Sequence, residues 1–256
     1  MNSLKGKTVF ITGASAGIGM ACAECFAEAG SRIVLTARRE DRLQEAAKLL
    51  NEKYSSETLI RKMDVTDNNE VKTVIGGLPE DWKDIDILIN NSGLAFGMNK
   101  IHESDPDDWD VVIDTNVKGM LYVARAIIPG MVERGSGHIF NLGSIAGHQV
   151  YPNGSVYCST KFAVNALTQG MQMELVDTPL RVTCISPGMV ETEFSEVRFR
   201  GDKQKAAKVY KGIDALTGTD IAEIIVFIAG RPKHVNINDV IIMPTNQASA
   251  IIVHKK

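Results

Sequence analysis

The sequence has little that would mark a metal-binding or disulfide-linked protein. Only four of its 256 residues are cysteine. Cys22 and Cys25 have C-x-x-C spacing, but they fall on a predicted helix, and no second pair or nearby histidine completes four zinc ligands. The five histidines form no i, i+3 or i, i+4 pair. We therefore expect small buried thiols and no metal site.

The chain also lacks a long apolar run and a large excess of charge. No stretch reaches the roughly 18 apolar residues that a membrane-spanning helix needs, and the first predicted strand begins by about Thr8, which leaves no room for a secretory signal. The 28 Lys and Arg residues nearly balance the 31 Asp and Glu residues, with a net charge of -3, so nothing favours nucleic acid or anionic membrane. We expect a soluble, reduced, intracellular protein whose partners are small molecules or other subunits.

What the chain does contain is a regular alternation of strand-like and helix-like segments. Apolar runs of strand length occur at 8–12, 32–37, 59–64, 85–90, 138–142, 181–186 and 240–243. Continuous apolar strands that alternate with helices predict a parallel sheet covered on both faces. The expected fold class is α/β, with a Rossmann-type doubly wound sheet of about seven strands in the order 3-2-1-4-5-6 and the seventh at the edge. No repeat or linker divides the chain, so residues 1–256 are predicted to form a single domain.

Two segments between the strands stand out. Ser104 and the acidic residues around Pro106 form a helix-start signal, which predicts a long helix that ends near Val132. Segment 188–212 is charged and less regular than the rest of the chain. It follows the sixth strand, where an open sheet presents its ligands, so we expect this segment to cover a substrate.

A glycine pattern lies between the first strand and the first helix. Gly13, Gly17 and Gly19 occupy the context that a dinucleotide-binding fingerprint requires. Glycines let the backbone turn tightly and approach a pyrophosphate, and the free amides at the start of the helix can donate to it. The alternative, three glycines that only form a turn, does not explain their position between a strand and a helix.

The end of the second strand bears on which dinucleotide binds. An acidic residue there would select the ribose 2'-hydroxyl of NAD, whereas this chain has Arg38 and Arg39. A guanidinium forms charge-assisted, often bidentate bonds to a 2'-phosphate. NADP(H) is therefore the expected cofactor, and the alternative is that both arginines are solvated loop charges.

The third and fourth strands end in residues suited to the rest of the nucleotide. Asp64 and Val65 could hold the adenine edge through a carboxylate and an amide, although Asp64 could equally cap the next turn. Asn91 and Gly93 lie in a run of small and polar residues that lets the backbone stand close to a ribose. A turn without a ligand is the alternative for that run.

Tyr157 and Lys161 are one helical turn apart, thirteen residues after Ser144. Positions i and i+4 share one face of a helix, so the ammonium should lie close to the phenol and favour loss of its proton. An ordinary phenol has a pKa near 10, which is too high for efficient base catalysis near neutrality. We expect Lys161 to lower the pKa of Tyr157, and the positive nicotinamide of the cofactor to act in the same direction.

Together these motifs resemble the short-chain dehydrogenase/reductase family over nearly the whole chain. The matching residues, in order, are Thr12-Gly-x-x-x-Gly-Ile-Gly19, Asn90-Asn91-Ser92-Gly93, Asn116, Ser144, Tyr157-x-x-x-Lys161 and Pro187-Gly188 followed by Thr192. Ser92 departs from the alanine that is usual in this family and adds a polar group of unknown partner. Residues 192–202 and 244–249 are most similar to those of the NADP-dependent 3-hydroxy acid dehydrogenases, which include enzymes that oxidise serine and allo-threonine.

The resemblance implies an enzyme that acts on a CH-OH group, assembled as a cytoplasmic homotetramer. It implies that Tyr157 acts as the catalytic acid or base, Ser144 orients the substrate oxygen, and Asn116 holds a water that relays protons through Lys161. For Asn116 an internally bonded structural amide is the alternative. The expected cofactor-binding residues are Gly13, Ser15, Gly17, Ile18, Gly19, Arg38, Arg39, Asp64, Val65, Asn91, Gly93, Tyr157, Lys161, Pro187, Gly188, Val190 and Thr192.

The substrate contacts are less well defined by the sequence. The carboxylate of a hydroxy acid needs a donor, and Arg198 or Arg200 could provide it beside Ser144 and Tyr157, unless both are solvated at the surface. His148 and Gln149 follow Ser144 closely enough to border the same cleft. Lysines at 203, 205, 208 and 211 could instead attract an acidic carrier protein, which keeps a broader carbonyl or 3-oxoacyl reductase as a rival. A catalytically silent NADP sensor is the alternative from another class.

Overall fold

The computed structural model describes residues 3–256. Its strands form one parallel sheet in the order β3-β2-β1-β4-β5-β6-β7, which confirms the predicted fold class and topology. The strand bounds are β1 Thr8–Thr12, β2 Arg32–Ala37, β3 Thr58–Lys62, β4 Ile87–Asn90, β5 His138–Leu142, β6 Arg181–Pro187 and β7 Asp239–Ile242. The prediction extended β3 and β4 too far, because the residues at 63–64 and 85–86 lie in irregular segments next to the strands.

The sheet is buried on both faces because its central strands are apolar at successive positions. Every residue of β1, β4 and β5 is buried. Adjacent residues of β1 face opposite sides, so Val9 and Ile11 pack in one core and Phe10 packs in the other. The helix bounds are α1 Gly17–Glu28, α2 Glu40–Tyr54, α3 Asn68–Gly76, α4 Pro106–Ile113, α5 Met120–Arg134, α6 Ser155–Glu174, α7 Phe194–Arg198, α8 Lys203–Tyr210 and α9 Gly218–Ala229. No helix within residues 3–256 is long and apolar enough to cross a membrane.

The long helix predicted before Val132 is interrupted. Asp105, rather than Ser104, caps its start by accepting a bond from the Asp107 amide. Between α4 and α5 the chain forms a π-helical turn over Asp114–Gly119. Such turns are often found at functional sites, and this one carries Asn116 in its buried part.

The carboxyl ends of the strands meet at one edge of the sheet. The order of the strands reverses between β1 and β4, and ligands of open α/β sheets bind in the crevice at that point. Segment 188–212 lies beside this crevice, and it is more regular than its composition indicated, since it contains α7 and α8. Asp202 caps α8, and the Tyr210 hydroxyl lies 2.7 Å from Ser195 Oγ and donates to the Val190 carbonyl at 2.9 Å.

Candidate active site

A cavity of about 710 Å³ opens at this edge of the sheet. It brings together the ends of β1, β2, β4, β5 and β6 with segment 188–212. The predicted cofactor residues that line it are Gly13, Ser15, Gly17, Ile18, Arg38, Arg39, Asp64, Val65, Asn91, Gly93, Tyr157, Lys161, Pro187, Gly188, Val190 and Thr192. Gly19 does not line the cavity. A Cβ at Gly19 would collide with the Gly13 carbonyl, so this glycine allows the first helix to pack closely behind the loop.

The start of α1 is suited to a pyrophosphate. Gly13 and Gly17 adopt positive φ values of 65° and 55°, which side chains other than glycine rarely tolerate. Within the described chain, no side chain caps the first turn of α1 at Ala16, so its amide donors are free to face an anion. A Cβ at Gly17 would lie 3.2 Å from Thr192, in space that the glycine leaves open. These features fit a dinucleotide.

Arg38 and Arg39 lie at the end of the cavity where the 2'-position of the ribose is expected. Both side chains are exposed and line the cavity wall. Arg39 donates to Ser15 Oγ at 3.1 Å and to the Glu193 carboxylate at 3.0 Å. Arg39 thus connects the glycine loop to the segment that covers the cavity, so it is not merely a solvated loop charge.

Hydrogen bonds hold the end of β3 within its own turn and the end of β4 against the end of β1. Asp64 Oδ1 accepts from the Thr66 amide at 3.0 Å and from its hydroxyl at 2.8 Å, so Asp64 caps this turn while it also lines the cavity. Asn91 Nδ2 donates to the Thr12 carbonyl at 2.9 Å. The Ser92 amide donates to Thr12 Oγ1 at 3.0 Å, and Ser92 lines the cavity.

Ser144, Tyr157 and Lys161 line the other end of the cavity. Ser144 lies directly after β5, where its Oγ accepts from the Ala146 amide at 3.1 Å. Tyr157 and Lys161 extend from α6 toward the same point. Lys161 Nζ donates to the Leu142 carbonyl at 2.7 Å and lies 5.8 Å from the centroid of the Tyr157 ring.

The electrostatics of this group differ from the prediction. Burial, followed by the nearby Tyr151, raises the pKa of Tyr157 to about 12, whereas Arg198 and a hydrogen bond with Ser144 act to lower it. Burial lowers the pKa of Lys161 to about 8. The expectation that Lys161 brings the pKa of Tyr157 toward neutrality is therefore wrong for the protein's own groups. Desolvation disfavours both charged forms, and the Lys161 ammonium bonds to a backbone carbonyl instead of the phenol.

Asn116 is buried behind the catalytic group. Its Oδ1 accepts from the Leu94 amide at 2.8 Å, and its Nδ2 donates to the Leu94 carbonyl at 2.8 Å and to Thr160 Oγ1 at 3.0 Å. These bonds match the alternative of an internally bonded amide. The Asn116 side chain is nevertheless adjacent to the site. A Cβ added at Gly93 would lie 3.3 Å from Asn116 Oδ1 and 3.5 Å from Lys161 Nζ.

The two candidate substrate arginines have different surroundings. Arg198 lines the cavity, its guanidinium carbon lies 5.0 Å from the centroid of the Tyr157 ring, and its Nη2 donates to the Tyr151 hydroxyl at 2.8 Å. Its buried Nε has no hydrogen-bond partner among the described residues. Arg200 is exposed, pairs with Asp108 and stacks 4.9 Å from the Phe96 ring centroid, away from the cavity lining. Only Arg198 is placed beside the catalytic group.

Sequence patterns missed several residues of the site. The cavity is also lined by Met98, Tyr151, Phe194, Tyr210, Gln247, Ala250 and Ile251. Gln247 Oε1 accepts from the Met189 amide at 2.8 Å, which holds the C-terminal segment against segment 188–212. The similarity noted at 244–249 was the one sequence signal for this contact. His148, which was expected to border the cleft, instead contacts Asn165 and Ser186 behind the Ser144 turn.

Comparison with known proteins decides the family. The model of the short chain dehydrogenase family matches residues 7–203. The chain belongs to this family. The family predicted from the motifs is therefore confirmed, and with it the prediction of an oxidoreductase.

Individual relatives match almost end to end. The chain is 46% identical over 257 residues to an NADP-dependent 3-hydroxy acid dehydrogenase of Schizosaccharomyces pombe, covering 100% of this chain and 99% of the relative. It is 42% identical over 250 residues to the NADP-dependent 3-hydroxy acid dehydrogenase YdfG of Escherichia coli K12, covering 97% and 99%. The closed form of a serine dehydrogenase complexed with NADP+ superposes with a TM-score of 0.91 and 42% identity, covering 97% of this chain and 100% of that one.

Proposed function

We propose that the protein is an NADP-dependent oxidoreductase that interconverts short 3-hydroxy acids, including serine-like substrates, with the corresponding 3-oxo compounds. The observation that carries this proposal is one cavity with three chemically distinct regions. Arg38 and Arg39 lie at the nucleotide end, Ser144 and Tyr157 lie at the reacting end, and Arg198 lies beside the tyrosine. The names of the relatives support the same cofactor and substrate class.

The chain's own groups explain how a proton would be handled. When bound, NADP supplies the hydride acceptor and a positively charged ring. Ser144 Oγ holds the substrate oxygen, and Tyr157 removes the hydroxyl proton in oxidation or donates it to the carbonyl oxygen in reduction. Because the pKa of Lys161 is about 8, this side chain is mainly an ammonium at neutral pH. It lies at the same end of the cavity and, through the Leu142 carbonyl, ties α6 to the end of β5.

Arg198 provides the donor that a substrate carboxylate needs. Its Nε is a buried N–H without a partner, and a buried unpaired donor is unfavourable unless a ligand satisfies it. Its position near the Tyr157 ring matches a substrate whose carboxylate is close to the reacting carbon. We infer that Arg198 binds this carboxylate and that Arg200, which is held by Asp108, does not.

A kinetic screen of short 3-hydroxy acids and matching neutral alcohols, each with NADP and with NAD, tests the proposal. Tyr157→Phe should retain NADP binding and lose turnover, and retained turnover would refute the assignment of Tyr157. Arg198→Met should raise KM for the acids on the order of tenfold or more, with little change for neutral alcohols. An equal change for both substrate classes would argue against carboxylate binding. Arg200→Met is the matched control and should leave KM unchanged.

A reductase of carrier-linked 3-oxoacyl groups remains as a second candidate. The exposed lysines at 203, 205 and 208 extend along α8, next to the cavity entrance that Val209 and Tyr210 line. Such a stripe would favour an acidic carrier. NADPH oxidation measured with a free 3-oxo acid and with its carrier-linked form separates the two functions, since only the second requires these lysines.

We also infer a homotetramer in the cytoplasm. Large apolar side chains remain exposed on helix α6, at Phe162 and Met173, and on the last helix and strand, at Phe227 and Ile241. Apolar surface of this kind is common where subunits meet. The four cysteines are free thiols, which fits a reducing compartment. Light scattering of the purified protein tests the assembly, and a stable monomer would contradict it.

A further inference from the structure

A polar cluster lies behind the Ser144 turn. We call it the support network, and it consists of His148, Asn165, Cys184, Ser186 and Asp239. Its members come from the end of the turn, from α6, from β6 and from β7. Of these residues, the sequence patterns placed only His148 near the site. The cluster lies next to both helix α6, which carries Tyr157, and the turn that carries Ser144, so it can affect how these two residues are placed relative to each other.

The hydrogen bonds of Asn165 fix the orientation of its amide. Nδ2 donates to the Gly147 carbonyl at 2.9 Å, and a carbonyl can only accept. The Cys184 thiol donates to Oδ1 at 2.9 Å. The second Nδ2 proton faces His148 Nε2 at 3.1 Å, so this imidazole nitrogen acts as the acceptor. Asn165 is thus buried with both ends of its amide occupied.

The position of Asn165 on α6 continues the catalytic face. Tyr157, Lys161 and Asn165 are spaced by four residues and lie along one face of the helix. Lys161 bonds to the Leu142 carbonyl before Ser144, and Asn165 bonds to the Gly147 carbonyl after it. The two bonds hold both ends of the turn against the helix that carries Tyr157. They therefore set the distance between the two groups that contact the substrate oxygen.

His148 connects this arrangement to the sheet. Its Nε2 lies 3.0 Å from Ser186 Oγ and 3.4 Å from an Asp239 carboxylate oxygen. Because Nε2 is an acceptor, the single proton of the Ser186 hydroxyl is donated either to Nε2 or to Asp239 Oδ1, which lies 3.2 Å from Ser186 Oγ. The Asp239 carboxylate is joined to His148 through Ser186 and is not itself a hydrogen-bond partner of Nε2. Gly143 makes the close approach possible, because a Cβ there would lie 2.8 Å from Cys184 Sγ and 2.9 Å from Ser186 Oγ. The turn is consequently packed against β6 as well as α6.

We propose that Asn165 and His148 are positioning residues that hold the Ser144 hydroxyl at the substrate oxygen, within reach of Tyr157. Neither residue lines the cavity, so neither contacts substrate or cofactor. This inference rests on the proposed role of Ser144 in the reaction. It goes beyond that role by assigning the side chains that make Ser144 effective.

A double-mutant cycle between Asn165→Leu and Ser144→Ala tests the proposal. Asn165→Leu removes the amide with little change in volume and should lower kcat on the order of tenfold, since small displacements of an orienting group have large effects on rate. The Kd of NADP should stay within about twofold, because the nucleotide end of the cavity is not contacted. In the Ser144→Ala background the same substitution should lower kcat by less than about twofold, because the group it positions is gone.

Gln172→Leu is the matched control. Gln172 lies on the same helix and likewise joins it to the sheet, through bonds to the Val182 and Asn238 carbonyls at 3.0 Å and 3.1 Å. These bonds are at the end of α6 remote from Ser144. Loss of the Gln172 amide should lower the free energy of unfolding about as much as Asn165→Leu does, and it should leave kcat unchanged. An equal fall in kcat in both variants would show a general effect of loosening α6 and would overturn the proposal.

The remaining outcomes are also decisive. An equal loss of kcat on Asn165→Leu in the wild-type and Ser144→Ala backgrounds would overturn the inference while leaving the proposed function intact. If Ser144→Ala alone leaves kcat unchanged, the assigned role of Ser144 fails and the inference fails with it. Should Asn165→Leu not fold, His148→Leu replaces it. His148→Leu should lower kcat and His148→Gln, which keeps an acceptor at the position of Nε2, should restore it; no recovery would count against the proposal.

Discussion

The positive charge of the buried Lys161 side chain should lower the free energy of unfolding. Burial lowers its pKa from the ordinary value of 10.5 to about 8. Each pKa unit corresponds to about 1.4 kcal/mol, so holding the ammonium in the folded state costs about 3 kcal/mol at pH 7. Lys161→Met keeps the length of the side chain and removes the charge. It also removes the hydrogen bond from this ammonium to the Leu142 carbonyl, which contributes about 2 kcal/mol because the donor is charged.

We therefore expect Lys161→Met to abolish turnover and to raise the free energy of unfolding at pH 7 by about 1 kcal/mol. For a chain of this size, that corresponds to a rise in Tm of roughly 2 to 4 °C. When the removal of a side chain raises the stability of a protein, that side chain is typically one retained for function.

The pH dependence gives the sharper test. Below pH 8, Lys161 is protonated in both the folded and the unfolded state, and the full cost is present. Between pH 8 and pH 10.5 the unfolded state holds more protons, so the wild-type protein gains stability as the pH rises. The advantage of Lys161→Met should shrink across this window. Tyr157, whose pKa is raised to about 12, affects both proteins alike and cancels in the difference.

Guanidinium unfolding at one fixed protein concentration measures the difference at pH 7 and at pH 10. Lys72→Met, which changes an exposed lysine on α3, is the control and should have little effect at either pH. A Lys161→Met protein that is less stable than the wild type at pH 7 would refute the reasoning. So would a stabilisation that does not change between the two pH values.

Two further predictions concern the nucleotide end of the cavity. Arg38→Ala should weaken NADP binding on the order of tenfold or more while NAD binding stays nearly constant, because a charge-assisted bond to a 2'-phosphate is lost. Calorimetry with both nucleotides measures the two affinities. An NADP affinity that is unchanged by the substitution would reject the assignment. Glu193→Gln should release Arg39 from its ion pair and tighten NADP binding by a few-fold. The same substitution should speed proteolysis of segment 188–212 in the free protein. A weaker affinity for NADP would contradict this account.

The fold could be predicted because its determinants are local in the sequence. The central strands are apolar at consecutive positions, which is the pattern of a sheet buried on both faces, and the glycine loop lies between a strand and a helix. Departures occur where tertiary contacts decide. The π turn that carries Asn116 coincides with a Gly119 whose Cβ would lie 2.7 Å from Val65 Cγ2, and no local pattern reports such a contact between distant segments.

The residues proposed to bind the cofactor follow local patterns for the same reason, and all of them except Gly19 line the cavity, whereas the substrate end of the site has no such pattern. Arg198 and Arg200 are equivalent in the sequence, two positions apart on either side of Phe199. Helix α7 ends at Arg198, and Arg200 adopts a positive φ of 52°, which directs the chain away from the cavity. Gln247 is separated from Met189 by 58 residues, yet the two are hydrogen-bonded. Contacts across that distance depend on the whole fold.

The expectation for the pKa of Tyr157 was mistaken because the spacing of residues in a sequence does not show whether their side chains are exposed to solvent. A tyrosine and a lysine four residues apart share a helix face in any environment, but the sign of the pKa shift depends on whether that face is solvated. Here burial dominates, so the protein's own groups keep Tyr157 protonated near neutral pH. That state is ready to donate a proton to a carbonyl oxygen. Proton removal from an alcohol requires positive charge near the ring, and among the described residues Arg198 is the cation that lowers this pKa. A carboxylate bound to Arg198 would offset part of that effect, and it would do so in both directions of the reaction because the hydroxy acid and the oxo acid both carry it.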